Sequence, residues 1–285
     1  MPLPPDAVEL REVFREEVRD LLERWSAETD FTAASGMSPD DNRPVADAKE
    51  SLASRATTVF NAWLVRMFHA TFDDELEAIG APFPHDPRRM LLNVMLADAK
   101  TLKTFDATLG DSILFDDLKT PALETRDERI LTSLLDALEF LDQRLGADRA
   151  QWQWGRLHTI RFNALVSLWK TLSIPPDPDP VFPNGFPRGG DGYNVDVAGY
   201  ALPRALDAQA SFAYTHGPTQ RFVIDMSPDG PVARNALPGG NVWDSRDPHF
   251  RDEAERWRRN QNRPVPFKAA DVVAEAEGRV VYASQ

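Results

Sequence analysis

The sequence predicts an α+β protein, with a helix-rich N-terminal half and antiparallel sheet strands in the C-terminal half. Three observations carry this reading. Apolar residues recur at helical spacing in four long stretches before residue 150. Beyond that point the pattern shortens to brief runs of Val, Ile, Phe and Tyr bounded by Gly and Pro. And of 285 residues 42% are hydrophobic and 27% charged, which supplies a core and argues against disorder as the dominant state.

The elements follow in order. Residues 6–29 space Val8, Val13, Phe14, Val18, Leu21, Leu22 and Trp25 on one helical face, with Arg and Glu opposite. Residues 30–45 hold Ser-Gly, Ser-Pro-Asp-Asp-Asn and Arg-Pro, a loop. A long helix spans about 46–79 and stops at Gly80 and Pro82. The next starts behind Pro87 and runs to Leu109-Gly110, and a fourth covers about Arg126 to Leu145-Gly146. Pro175-Pro176-Asp177-Pro178-Asp179-Pro180 breaks any regular element. Strands are read at Tyr193–Val197, Ala210–Tyr214 and Arg221–Asp225, with hairpin-turn chemistry at His216-Gly217-Pro218-Thr219. Residues 248–262 read as helix and Arg279–Tyr282 as a closing strand. The divisions are 1–150, mainly helical, and 151–285, strand-containing with C-terminal helices; neither block reads as self-sufficient.

Lys plus Arg number 32 and Asp plus Glu 45, a net charge of −13, so nucleic acid and anionic membranes are poor partners. No apolar run approaches the roughly 20 residues of a membrane span, and no signal peptide opens the chain. Cysteine is absent, which removes disulfides, thiol nucleophiles and Cys-type zinc sites but fits either redox compartment. There are 23 prolines, and Met1-Pro2-Leu3-Pro4-Pro5 reads like the interior of a longer protein.

Candidate chemistry is sparse. His69, His85, His158, His216 and His249 form no metal-ligand spacing, so a metal-dependent hydrolase is disfavoured. His69 reads as structural, and His158 and His249 as turn or cap residues. There is no Gly-x-Ser-x-Gly elbow. Arg188-Gly189-Gly190-Asp191-Gly192 lacks the Lys-Ser/Thr of a phosphate loop. The acidic loops at 40–42 and 177–179 lack the ligand alternation of a calcium loop. Six arginines between 246 and 263 interleave with Asp and Glu three and four apart, which argues for a paired helix face.

Six stretches taken together carry a resemblance. Leu237-Pro238-Gly239-Gly240 through Asp247-Pro248-His249-Phe250 and Trp257 to Pro264-Val265-Pro266-Phe267 is similar to the C-terminal signature of penicillin acylases, a family of N-terminal-nucleophile hydrolases. His216–Asp225 resembles that family's Gly-x-Ser-x-Arg-x-Val-x-Asp strand, and Gly189–Val195 its Gly-Gly-Asp strand entry. Glu124–Glu128, Trp152–His158 and Ala62-Trp63 to Asp74-Glu75-Leu76 match in order and spacing. The likeness covers about residues 19–285. Asn241-Val242-Trp243 replaces the usual Gln-Ser-Gly, Asp247 replaces Ser, and Glu253 stands where Gln is common.

The resemblance implies part of an αββα fold and hydrolysis of a linear carbon–nitrogen amide bond. It places this sequence in the C-terminal part of a β chain. The nucleophile, which is the first residue of that chain, the oxyanion donors and the calcium ligands then lie outside it. The implied partners are the upstream part of the β chain and the α chain, with a small amide substrate in the assembled enzyme and a periplasmic or secreted location. The chain then cleaves nothing alone; the alternative is a stand-alone, non-catalytic module that kept the acylase-like tail. One site role carries over by resemblance: Asp225, at the end of a core strand, supports a neighbouring amine or His. The plainer reading is that Asp225 caps the strand or pairs with Arg221, itself a buried partner for a carboxylate or for backbone carbonyls.

Overall fold

Polar side chains fix where the two longest buried helices, the second and the fourth, begin. In the computed structural model α1 spans Pro5–Thr29, α2 Ala48–Ala78, α3 Arg88–Leu96 and α4 Arg126–Leu145. The structure describes residues 5–82, 84, 88–166, 168–194, 197–202, 212–217, 221–276 and 278–283, with the backbone only at 5–15, 215 and 216. The Asp47 carboxylate accepts the Glu50 N–H at 2.7 Å to start α2, and a Thr125–Glu128 capping box starts α4. Gly80 and Gly146, at φ +65° and +88°, end them.

Arg88–Leu96 is much shorter than the helix expected behind Pro87. Asp98 accepts the Lys100 N–H and opens a separate turn at Ala99–Thr101. Asp106 then accepts the N–H groups of Thr108 and Leu109. These Asx turns compete with the helix for the same backbone donors, and the chain folds into a small hairpin of β1, Phe105–Asp106, and β2, Asp111–Ser112.

Two units are formed, each from separate pieces of chain: 1–160 with 186–217, and 161–185 with 218–285. In the first, α2 is the central helix, packed by α1 and α4. Val59, Phe68 and Phe72 of α2 meet Leu138 and Leu141 of α4 and the buried Trp152 and Trp154. Its buried threonines are satisfied within the helix: Thr57, Thr58 and Thr71 each donate to the carbonyl four residues back at 2.7–2.9 Å. Beside them runs a four-stranded sheet in the order β4 (Phe186–Pro187), β3 (Thr159–Ile160), β6 (Tyr214–His216), β5 (Gly199–Tyr200). The β3–β6 pairing is parallel and the other two are antiparallel.

The second unit holds β7 (Arg221–Ser227), β8 (Gly230–Ala236) and β9 (Arg263–Val265) in that spatial order, all antiparallel, with α5 (Asp252–Arg258) and α6 (Ala269–Ala274). The tight turn after β7 runs through Pro228-Asp229 to Gly230 at φ +115°, so β7 pairs with β8 while β6 pairs with β5 and β3. The turn expected at 216–219 has Pro218 and Thr219 outside the described residues. So are parts of the strands expected at 193–197 and 210–214; Tyr193 and Asn194 lie in a bend, and strand pairing there starts at Gly199 and Tyr214. Helix 248–262 is a 3₁₀ turn, Pro248–Phe250, followed by α5 alone. Arg279–Tyr282 forms no strand pairing among the described residues, and Val280, Val281 and Tyr282 are exposed. Arg161 holds the proline-rich segment by donating to the carbonyls of Pro175, Pro176, Phe182 and Pro183. Among the described residues no helix is long and apolar enough to cross a membrane.

Candidate functional site

Alternation along β7 puts Arg221, Val223 and Asp225 on one face and Phe222, Ile224 and Met226 on the other. Asp225 is exposed and lies opposite Val232 of β8. Arg221 is half-buried; it donates to the Trp257 carbonyl at 2.7 Å and to Asn260 Oδ1 at 2.5 Å, with its guanidinium 4.7 Å from the Trp257 ring centre. Both faces of β7 leave large apolar groups in solvent: Phe222 is 48% exposed, Val223 62% and Met226 78%. Its outer edge carries no strand among the described residues.

The Gly-Gly signature packs on its own second half. A Cβ on Gly240 would sit 2.0 Å from the His249 carbonyl oxygen and 2.3 Å from that of Phe250, so glycine is required. Asn241 N–H donates to the His249 carbonyl at 3.1 Å and Ala254 N–H to that of Gly239 at 2.7 Å. Asp247 accepts the His249 N–H at 2.8 Å, the same capping chemistry a serine would supply. Buried Glu253 places Oε1 3.2 Å from Arg263 Nε of β9. Glu255 binds Arg258 and Arg259, each at 2.6 Å, the paired face that the charge spacing predicts.

The histidines with described side chains are dispersed. His69 faces Asp73, and His249 faces Asp252, each at 3.0 Å. His158 is fully buried, with Nδ1 2.9 Å from the Arg188 carbonyl and Nε2 2.9 Å from that of Ala198. His85 and the side chain of His216 lie outside the described residues. Among the described residues no three His, Asp or Glu side chains gather as metal ligands.

The Asp74-Glu75 pair of the matching stretch is an acidic site that the motif alone does not reveal. Asp74 is buried and accepts the Leu118 N–H at 2.7 Å. Both carboxyl oxygens of adjacent Glu75 are sealed from solvent. Burial, then the Asp74 carboxyl, push Glu75 up to about 8, so it holds a proton at neutral pH. The signal available was Asp74 in line with the apolar Met67, Phe68 and Phe72 stripe.

Residues 3–274 match the model of the penicillin amidase family. The chain belongs to that family. It is 26% identical over 231 residues to the acyl-homoserine lactone acylase QuiP of Pseudomonas aeruginosa, a match covering 78% of this chain and 26% of that protein. It is 27% identical over 227 residues to the enzyme of the same name from Pseudomonas syringae pv. syringae, covering 78% and 25%. The match thus spans about a quarter of the length of these relatives. Among solved structures, a thermostable penicillin G acylase from Alcaligenes faecalis superposes with a TM-score of 0.43 at 15% identity, covering 95% of this chain and 46% of that one.

Family membership gives the motifs a physical reading. Glu124–Glu128 anchors α4 of this penicillin amidase family member: Glu124 accepts the Asp117 N–H at 2.9 Å, Arg126 meets Asp111 at 3.0 Å, and Arg129 donates to the Phe115 carbonyl at 2.6 Å. The Trp152–His158 stretch forms the aromatic centre of the first unit. These motifs organise the fold, and β7 is a strand that leaves apolar groups open toward solvent.

Proposed function

We propose that this chain is the C-terminal segment of a penicillin-acylase-like, N-terminal-nucleophile amidohydrolase and cleaves nothing alone. The observation that carries the reading is β7: a seven-residue edge strand with large apolar side chains exposed on both faces. Soluble proteins cover such edges. The covering layers are the remaining β-chain strands and the α chain of the same family polypeptide, whose relatives extend well beyond the matched region. The nucleophile and any calcium site belong to that remainder, and the location is periplasmic or secreted. The substrate is a small amide; the QuiP relatives make N-acyl-homoserine lactones the first to test, beside penicillin G.

Within the assembled enzyme Asp225 acts as a positioning carboxylate and Arg221 holds the base of its strand against α5. Asp225→Asn is expected to shift the pH profile of kcat/KM while leaving assembly intact; an unchanged profile reduces Asp225 to a strand residue.

The deciding experiment measures amide hydrolysis by the isolated chain and by the chain co-produced with the preceding part of its polypeptide. Activity is expected only with both. Turnover by the isolated chain that a substitution within it abolishes would overturn the proposal. A monomeric isolated chain with a cooperative melt, unable to bind the preceding part, would favour the non-catalytic module.

A further inference from the structure

His158 is enclosed on every side. Its ring stacks on Trp154 at 4.8 Å between centres and 10° between planes, and on Tyr214 at 4.6 Å and 15°. Tyr200 meets its edge at 6.4 Å and 82°. Each ring nitrogen lies 2.9 Å from a backbone carbonyl oxygen, Nδ1 from that of Arg188 and Nε2 from that of Ala198.

A carbonyl oxygen only accepts. A neutral imidazole donates from one nitrogen and presents a lone pair at the other. At 2.9 Å that lone pair would face the lone pairs of a carbonyl, with no water to intervene because the ring is fully buried. Only the imidazolium donates at both ends, and it also gains from aromatic faces above and below. We propose that His158 is a resident imidazolium, a buried cationic clamp holding both ends of the 188–198 segment.

Among the described residues, the charged and titratable groups around the ring are Asp191 and Arg188, Tyr200 of β5 and Tyr214 of β6. Asp191 is 9% exposed and favours the cation; Arg188, 6% exposed, opposes it. Burial is the largest influence and draws the ring's pKa below the usual imidazole value, while the two carbonyls and Asp191 oppose it. Against that cost stand the two stacked aromatic faces and the avoided lone-pair clash at 2.9 Å. Alkaline proton loss to water then frees one carbonyl and loosens one end of the segment.

The test is nuclear magnetic resonance of the full chain labelled with ¹⁵N-histidine, followed from pH 5 to 9. One histidine, whose signals vanish in His158→Gln, is expected to keep both ring nitrogens protonated at pH 7.5, about one unit above the usual imidazole pKa. Should H158Q not fold, the same ring is identified by the upfield shift of its carbon-bound protons between two aromatic faces. Asp191→Asn is expected to lower the pH at which the second proton leaves. A single protonated nitrogen at pH 7.5 in the wild-type chain overturns the proposal, whichever way the amidase assay falls.

Discussion

The Ser54 hydroxyl accepts the backbone N–H of Trp154 at 2.7 Å, joining the central helix to a turn 100 residues away. The same hydroxyl donates to the Ser35 carbonyl at 2.8 Å, and Ser54 is fully buried. Removing it orphans a buried N–H and a carbonyl at once. Ser54→Ala is therefore expected to lower stability by about 1–3 kcal/mol in urea unfolding; a loss under about 0.5 kcal/mol would show that the bonds are made good elsewhere.

Gly36 and Gly110 separate backbone strain from crowding. Both have positive φ, +68° and +75°. A Cβ on Gly36 would lie 2.0 Å from Gln153 Oε1 and 2.4 Å from Ser54 Oγ, whereas nothing lies within 4 Å at Gly110. Gly110→Ala is expected to cost about 1–2 kcal/mol, the left-handed penalty alone. Gly36→Ala adds a further 1–3 kcal/mol of overpacking, roughly. Equal losses in urea unfolding would refute the packing at Gly36.

Glu75 sets a pH dependence of definite sign. Its folded pKa is about 8, above the ordinary 4.5, so its proton stabilises the fold fully below about 4.5, and this is lost progressively as pH rises to about 8. Glu75→Gln keeps the neutral form throughout. The variant is expected to gain stability relative to wild type between pH 6 and 9, read from thermal midpoints. Parallel pH curves for the two proteins would refute the protonated carboxyl.

Arg221 and Asp225 share a strand but differ in anchoring. Arg221 binds the Trp257 carbonyl and Asn260, so Arg221→Ala is expected to cost about 1–2 kcal/mol, discounted for its half exposure. Asp225→Asn, at an exposed position, is expected to change stability by less than about 0.5 kcal/mol. Hydrogen exchange across 221–236 measures both; equal protection in the two variants would contradict the assignment.

Exposed apolar residues on β7 make self-association of the isolated chain an expected behaviour. Ile224→Lys with Met226→Lys should reduce it in light scattering and weaken capture of the preceding part of the polypeptide. Unchanged capture would place that contact elsewhere.

The long helices were legible because their determinants are local. Asp47 and the Thr125–Glu128 box lie within one turn of the backbone they cap. β7 was legible because Phe222, Val223 and Ile224 are three successive aromatic or β-branched residues. The stretch 97–112 was misread because Asp98 and Asp106 capture nearby N–H groups, and such competition leaves hydrophobic spacing unchanged. Val280-Val281-Tyr282 has strand composition, yet a strand exists only where a partner receives it.

For the site, composition and motif order by themselves determined the family and the absence of a metal-ligand spacing. Tertiary structure alone decided that the signature glycines pack against the His249–Phe250 backbone, that Glu75 keeps its proton, and that both nitrogens of His158 meet carbonyls 30 and 40 residues away. The reason is physical. A cap or a hydrophobic period is settled within a few residues, whereas the charge state of a buried group depends on dipoles and rings that distant segments bring to it.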